Sequence, residues 1–114
     1  MKKILVSSAI LLSVLLANNT VAAGDKNPGM EMNAAGLINK QPVYQLRVNN
    51  STTAAFYIVV KDEFGVVLHE ETVNGVNIVR NYQLNTVELG NTNVVFEVFN
   101  SNGILSGTFK VSGK

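Results

Sequence analysis

The sequence predicts an all-β fold, an antiparallel β-sandwich of about six strands behind a cleaved signal peptide. Three observations lead there. From Pro42 onward, apolar and polar residues alternate with the period of two that sends successive side chains to opposite faces of a strand. Breaks rich in Asn, Gly and Ser separate these runs at short intervals, as connections between antiparallel strands do. No segment beyond Ala23 sustains the helical repeat of an amphipathic helix.

In chain order, Lys2 and Lys3 form a basic start, Ile4 to Ala17 is an almost unbroken apolar run, and Val21-Ala22-Ala23 places small residues where a signal peptidase reads. Residues 1–23 are therefore expected to be a secretory signal peptide cut between Ala23 and Gly24. The run is short for a membrane-spanning anchor. The chain has no cysteine, so neither a lipid-modified cysteine nor a disulfide is available. An exported protein so built relies on packing and strand pairing alone. The expected destination is the periplasm, or the extracellular space and cell surface, with no membrane span in the mature form. Removing residues 1–23 takes two of the nine basic residues and none of the eight acidic ones, which leaves a net charge of −1. A near-neutral chain carries no electrostatic footprint for nucleic acid or anionic membrane.

Residues 24–41 read as a flexible leader, punctuated by Gly24, Asn27, Pro28, Gly29, Asn33 and Gly36, with a short strand around Met30 to Asn33 as the alternative. Residues 42–114 are the sandwich domain. Pro42 suits a strand start, and in Val43 to Val48 the residues Tyr44, Leu46 and Val48 share a face. Asn49-Asn50-Ser51-Thr52 reads as a polar break. A central hairpin follows. Phe56 to Val60 and Val66 to Val73 flank Asp62-Glu63-Phe64-Gly65, where glycine closes a type I turn in the left-handed region. Both faces of its first arm are apolar, as in an interior strand or an interface. Asn74-Gly75 predicts a type I′ hairpin into Val76 to Leu84, with Arg80 the polar exception on the face of Val76, Ile78, Tyr82 and Leu84. Asn85 to Asn91 is a connection whose Val87 and Leu89 are expected to plug the core. Asn93 to Asn100 and Ile104 to Val111 complete the strands, with Leu105, Phe109 and Val111 on the core face of the last.

Chemistry has few places to reside. His69 and Glu71 point one way along a strand and Glu70 the other, so a metal would find two ligands at most, and a solvated outer strand is the expected reading. Asp62 and Glu63 fall short of the oxygen count calcium needs and read as turn residues. Ser51, Ser101, Ser106 and Ser112 lack a nucleophile-elbow pattern, and His69 is the only histidine to serve as base. Gly103 to Gly107 has no phosphate-loop lysine. Tyr44, Tyr57 and Tyr82 read as core-edge packing with wet hydroxyls rather than a ligand platform. No catalytic, cofactor-binding or metal-binding residue is assigned, and no enzyme is expected.

Val59-Val60-Lys61-Asp62-Glu63-Phe64-Gly65-Val66-Val67-Leu68 has the form apolar strand, Asp, two residues, Gly, apolar strand. Tyr82-Gln83-Leu84, Val87-Glu88-Leu89-Gly90 and Val94-Val95-Phe96-Glu97-Val98 follow it. Over Tyr44 to Val111 this resembles the small secreted immunoglobulin-like β-sandwiches of Bacteroidetes, a family of unknown function related to the C-terminal sorting domains of type IX secretion. The resemblance implies an immunoglobulin-like sandwich and supplies no catalytic residues. Sorting domains open with a Pro-Asn-Pro-like stretch and follow a cargo domain, whereas here Pro42-Val43-Tyr44 stands alone behind a short leader. The expected function is thus an exported, non-enzymatic binding or assembly module that uses a sheet surface or an edge strand, with a protein partner or its own copies. Ile104 to Val111 is the candidate edge. A sorting or targeting-like domain is the alternative.

Overall fold

The computed structural model describes residues 3–7, 21–26, 29–90 and 92–112. Its elements are β1 (Ile4–Ser7), β2 (Val21–Lys26), β3 (Met30–Ile38), β4 (Gln41–Asp62), β5 (Val67–Leu84), α1 (Thr86–Leu89), β6 (Val94–Asn100) and β7 (Leu105–Val111). The fold is all-β and antiparallel in every pairing.

Two long strands organise it. Four of the expected strands are halves of β4 and β5, which pair from Val43↔Gln83 to Lys61↔Val67. Asn49 to Thr52 is no turn, because β4 continues through it as a bulge. Five residue steps on β4, from Asn49 to Ala54, face two on β5, from Asn77 to Gly75. Extra residues on one strand bend it and increase its twist. The bend divides one continuous sheet into two halves. In the first, β3 and β5 flank residues 41–48 of β4, and β1 lies outside β5. In the second, β5 and β6 flank residues 56–62, followed by β7 and β2. The strand order is β1-β5-β4-β6-β7-β2, with β3 beside β4. The sheet thus curls on itself instead of forming two separate sheets.

The halves face each other across one apolar core. Met30, Met32, Tyr44, Leu46, Ile78 and Tyr82 come from the first half, and Ile58, Val60, Phe96, Val98, Phe109 and Val111 from the second. The Tyr82 and Phe96 rings meet across the fold, with centroids 5.1 Å apart.

The turns explain where sequence and structure part. At the central hairpin the Asp62 carboxylate accepts hydrogen bonds from the Phe64 and Val66 amides, both 2.9 Å, and Gly65 sits at φ 85°. The β6–β7 turn repeats this arrangement with Asn100, which accepts from the Asn102 and Ile104 amides, and Gly103 at φ 75°. Asn74-Gly75, in contrast, is not a hairpin: Asn74 pairs with Ala55 and Gly75 with Ala54 inside continuous β5. Asn74 lacks the positive φ that a type I′ turn requires. The two-residue turn with both central φ values positive is Asn39 (51°) and Lys40 (66°), which returns β3 directly into β4.

That turn also corrects the leader. Residues 30–38, expected within a flexible segment, form β3, because Met30 and Met32 alternate with exposed Glu31 and fill the core while Gly36 accommodates a register shift. In α1 the Asn85 side chain caps the helix by accepting from the Val87 and Glu88 amides. Leu89 reaches the core, and Val87 is exposed instead of plugging it. A further register shift, between Val98 and Phe99, moves Leu105 off the core face of β7 to the outside. No helix among the described residues is long and apolar enough to cross a membrane.

Candidate functional site

Residues directly opposite in paired strands share a face. Tyr57 on β4 faces Phe99 on β6, and Phe99 faces Leu105 on β7. Because Phe56, Ile58 and Val60 point into the core, Tyr57, Val59 and Lys61 must point outward, onto the convex face of the second half. There the Tyr57 and Phe99 rings lie 6.2 Å apart at a tilt of 40°. Exposed Leu105 extends the apolar strip, and Val59 forms its floor. The result is a shallow groove of about 630 Å3 in which Tyr57, Val59, Lys61, Glu97, Phe99 and Asn100 take part.

Charged groups border this strip. Tyr57 donates its hydroxyl hydrogen bond to Glu70 Oε2 at 2.7 Å, and Lys61 Nζ meets Glu97 Oε1 at 2.7 Å. The bond to the Glu70 carboxylate raises the Tyr57 phenol above its ordinary range, so the hydroxyl stays protonated and the ring is fixed in orientation. Exposed aromatic and aliphatic side chains with a charged rim are suited to holding another apolar surface.

A second concavity lies on the open side of the curl. His69, Glu71 and Val73 oppose Val60, Ile58 and Phe56, so they face the core side of the sheet and not the outside expected of a solvated outer strand. They are half-buried at its rim, above a cleft of about 790 Å3 to which Lys3, Ile4, Val6, Leu68, His69 and Arg80 contribute. Polar residues are tolerated on this face because they are only half-buried and paired with one another. His69 Nε2 lies 2.6 Å from Glu71 Oε2, and Arg80 Nε donates to Glu71 Oε1 at 2.7 Å. The polar exception in β5 is thus the partner of the acidic residue nine positions earlier, brought to it by the bend. Sequence spacing did not reveal this pairing; the only signal was a charge on an otherwise apolar face.

The remaining residues singled out from the sequence fall elsewhere. Asp62 shapes its turn, and Glu63 Oε1 accepts from the Asn93 amide. Ser51 and Ser101 are exposed on a bulge and a turn, whereas Ser106 is buried and donates to the Ile104 carbonyl. The bond partner of His69 is Glu71, not a serine. Among the described residues no three His, Cys, Asp or Glu side chains come together as a metal-binding group. Tyr44 and Tyr82 are fully buried core residues, so their hydroxyls are not wet, and the three tyrosines share no platform. Burial first, and then the Glu71 carboxylate, push the Tyr82 phenol well above its ordinary range, against a smaller opposing effect of Arg80.

No protein-family model, curated protein or solved structure matches this chain.

Proposed function

We propose that this chain is an exported, non-enzymatic binding module that docks a protein partner on its convex face. The observation that carries the reading is the strip of exposed Tyr57 and Leu105 and half-buried Phe99 over Val59. Large apolar side chains gathered on one open sheet face are costly to leave in water, and contiguous patches of this kind mark interaction surfaces. Tyrosine is enriched among residues that dominate binding energy, because it adds a large rigid area with a polar tip. The Tyr57–Glu70 and Lys61–Glu97 pairs supply a polar rim that disfavours indiscriminate apolar contact. The signal-peptide pattern of residues 1–23 supports export, and the hydrogen bonds of His69 to Glu71 and of Ser106 to the Ile104 carbonyl support a role without catalysis.

The test compares wild type with a Tyr57→Ser/Leu105→Ser variant as bait in envelope extract from the producing cell. Both substitutions lie on the outer face, so the variant should keep its far-ultraviolet spectrum and melting transition while losing the captured partner. Capture of the same proteins by both baits would sink the proposal. A reporter fused to residues 24–114 separates this function from the sorting-domain alternative. It should remain away from the cell surface, and surface display would favour sorting. The fusion must include β3, which a start at Gln41 would remove.

A further inference from the structure

The two ends of the sheet are closed by the part of the chain that export is expected to remove. β1 is seated on β5 with Ile4↔Leu84, Leu5↔Gln83, Val6↔Tyr82 and Ser7↔Asn81, and the Asn85 amide donates to the Lys3 carbonyl at 2.7 Å. Ile4 is 5% exposed within the core and Val6 packs against it, whereas Leu5 points to solvent. At the other end, Val21, Ala22 and Ala23 of β2 pair with Val111, Lys110 and Phe109 of β7. The candidate edge Ile104 to Val111 is therefore covered from Gly107 to Val111 in the full chain. Cleavage after Ala23 would remove all of β1 and the first three residues of β2, and so uncover at once the β5 edge and the Phe109–Val111 part of the β7 edge, while Lys26 still pairs with Gly107.

We infer that the processed chain assembles with copies of itself, the uncovered β7 edge of one copy pairing with the uncovered β5 edge of the next. This rests on the exported reading above and uses a different surface from the convex strip. An open edge of unpaired amides and carbonyls is a template for an added strand. The β5 edge is shaped for a particular strand pattern, since its occupant in the full chain presents apolar residues at alternate positions, Ile4 and Val6, around an outward Leu5. Phe109-Lys110-Val111 has that pattern, with Phe109 and Val111 buried on the core side and Lys110 exposed. One cleavage opens both members of the pair, and they stand at opposite ends of the strand order. The contact is consequently head-to-tail, which builds rings or filaments rather than closed twofold dimers. In the precursor, residues 4–7 and 21–23 keep both edges covered.

The hydrogen-bonding parity supplies a selective variant. Because the Asn85 amide is directed at β1, the amides of Gln83 and Asn81 are directed the same way, while those of Tyr82 and Leu84 face β4. Gln83→Pro removes one outward amide and leaves the β4 ladder intact, and Gln83→Ala controls for loss of the side-chain bond to the Ile38 carbonyl. The exported protein would be purified and its start established by intact mass. Sedimentation velocity over a concentration series would follow for wild type, both variants and Tyr57→Ser. Processed wild type and Gln83→Ala should form larger species as concentration rises, and Gln83→Pro should remain monomeric with a wild-type spectrum. A synthetic peptide of residues 3–7, in excess, should return wild type to monomer, which decides the matter should Gln83→Pro fail to fold. A monomeric processed wild type would overturn the inference. So would assembly that resists the peptide, or assembly lost with Tyr57→Ser but not with Gln83→Pro. An exported chain that still carries residues 1–23 would overturn the processing step and this inference together, and leave the convex-face proposal standing.

Discussion

Tyr82 shows how one residue couples the core to its charged rim. Its ring packs on Phe96 while its hydroxyl lies beside the Glu71–Arg80 pair, and burial favours the neutral phenol. The folded value is raised above the ordinary 10.0, so the stability tied to the neutral hydroxyl is fully present below that pH. It is lost progressively as pH rises past 10, where the unfolded chain releases the proton and the folded chain retains it. Urea denaturation between neutral pH and pH 11 should show a midpoint that falls in wild type and falls less in Tyr82→Phe. Equal declines would mean that another group governs alkaline unfolding. The alternation of Ile78, Tyr82 and Leu84 put the Tyr82 ring and Arg80 on one face; the burial of the hydroxyl and its neighbour Glu71 were not legible, because Glu71 comes from the other half of the sheet.

At the scale of elements, turn chemistry was read correctly where the local pattern and long-range pairing agree. Asp62 to Gly65 and Asn100 to Gly103 each carry a side-chain acceptor, then a glycine three residues on, and each forms the expected hairpin turn. Asn74-Gly75 carried a stronger local signal but lies beside a continuous partner strand, and pairing of β4 with β5 overrides it. Asn39-Lys40 carried a weaker signal, Asn alone, yet the short return from β3 to β4 forces both residues to positive φ. Opposite substitutions should therefore have opposite signs. Lys40→Gly relieves left-handed strain of about 1–2 kcal/mol, less the added chain entropy of glycine, and should stabilise by about 0.5–1 kcal/mol. Gly75→Val places a β-branched residue at φ 152°, with its Cβ 3.4 Å from Ile78 Cγ1, and should destabilise by about 1–3 kcal/mol. Chemical denaturation of the two variants measures both. A neutral Gly75→Val would show that the bend does not depend on glycine.

For the whole molecule, the decisive feature is one curled antiparallel sheet whose two halves contribute to a single apolar core. Apolar periodicity made β6, β7, both halves of β4 and β5 and most of their core residues legible, whereas β3 read as a leader. It left the bend hidden, because a bulge and a turn are both written as polar residues such as Asn49 to Thr52. The convex groove was hidden for the same reason: a register shift places Leu105 beside Phe99, and one residue of slip moves a side chain to the opposite face. The bend also decides what the smallest folding unit is. If residues 24–41 were a leader, a chain starting at Gln41 would fold as well as one starting at Gly24. In the curled sheet, β3 pairs with β4 from Met30↔Val48 to Ile38↔Gln41 and contributes the buried Met30 and Met32. Burying a methionine side chain is worth about 1.5–3 kcal/mol, so the pair contributes roughly 3–6 kcal/mol before the strand's hydrogen bonds are considered. A domain's total stability is about 5–15 kcal/mol, and loss on that scale exhausts most of it. The chain starting at Gln41 should therefore lack a cooperative thermal transition and dispersed amide resonances, while residues 24–114 retain both. A cooperative transition at the same temperature for the two chains would show that β3 is dispensable and that the core closes without it.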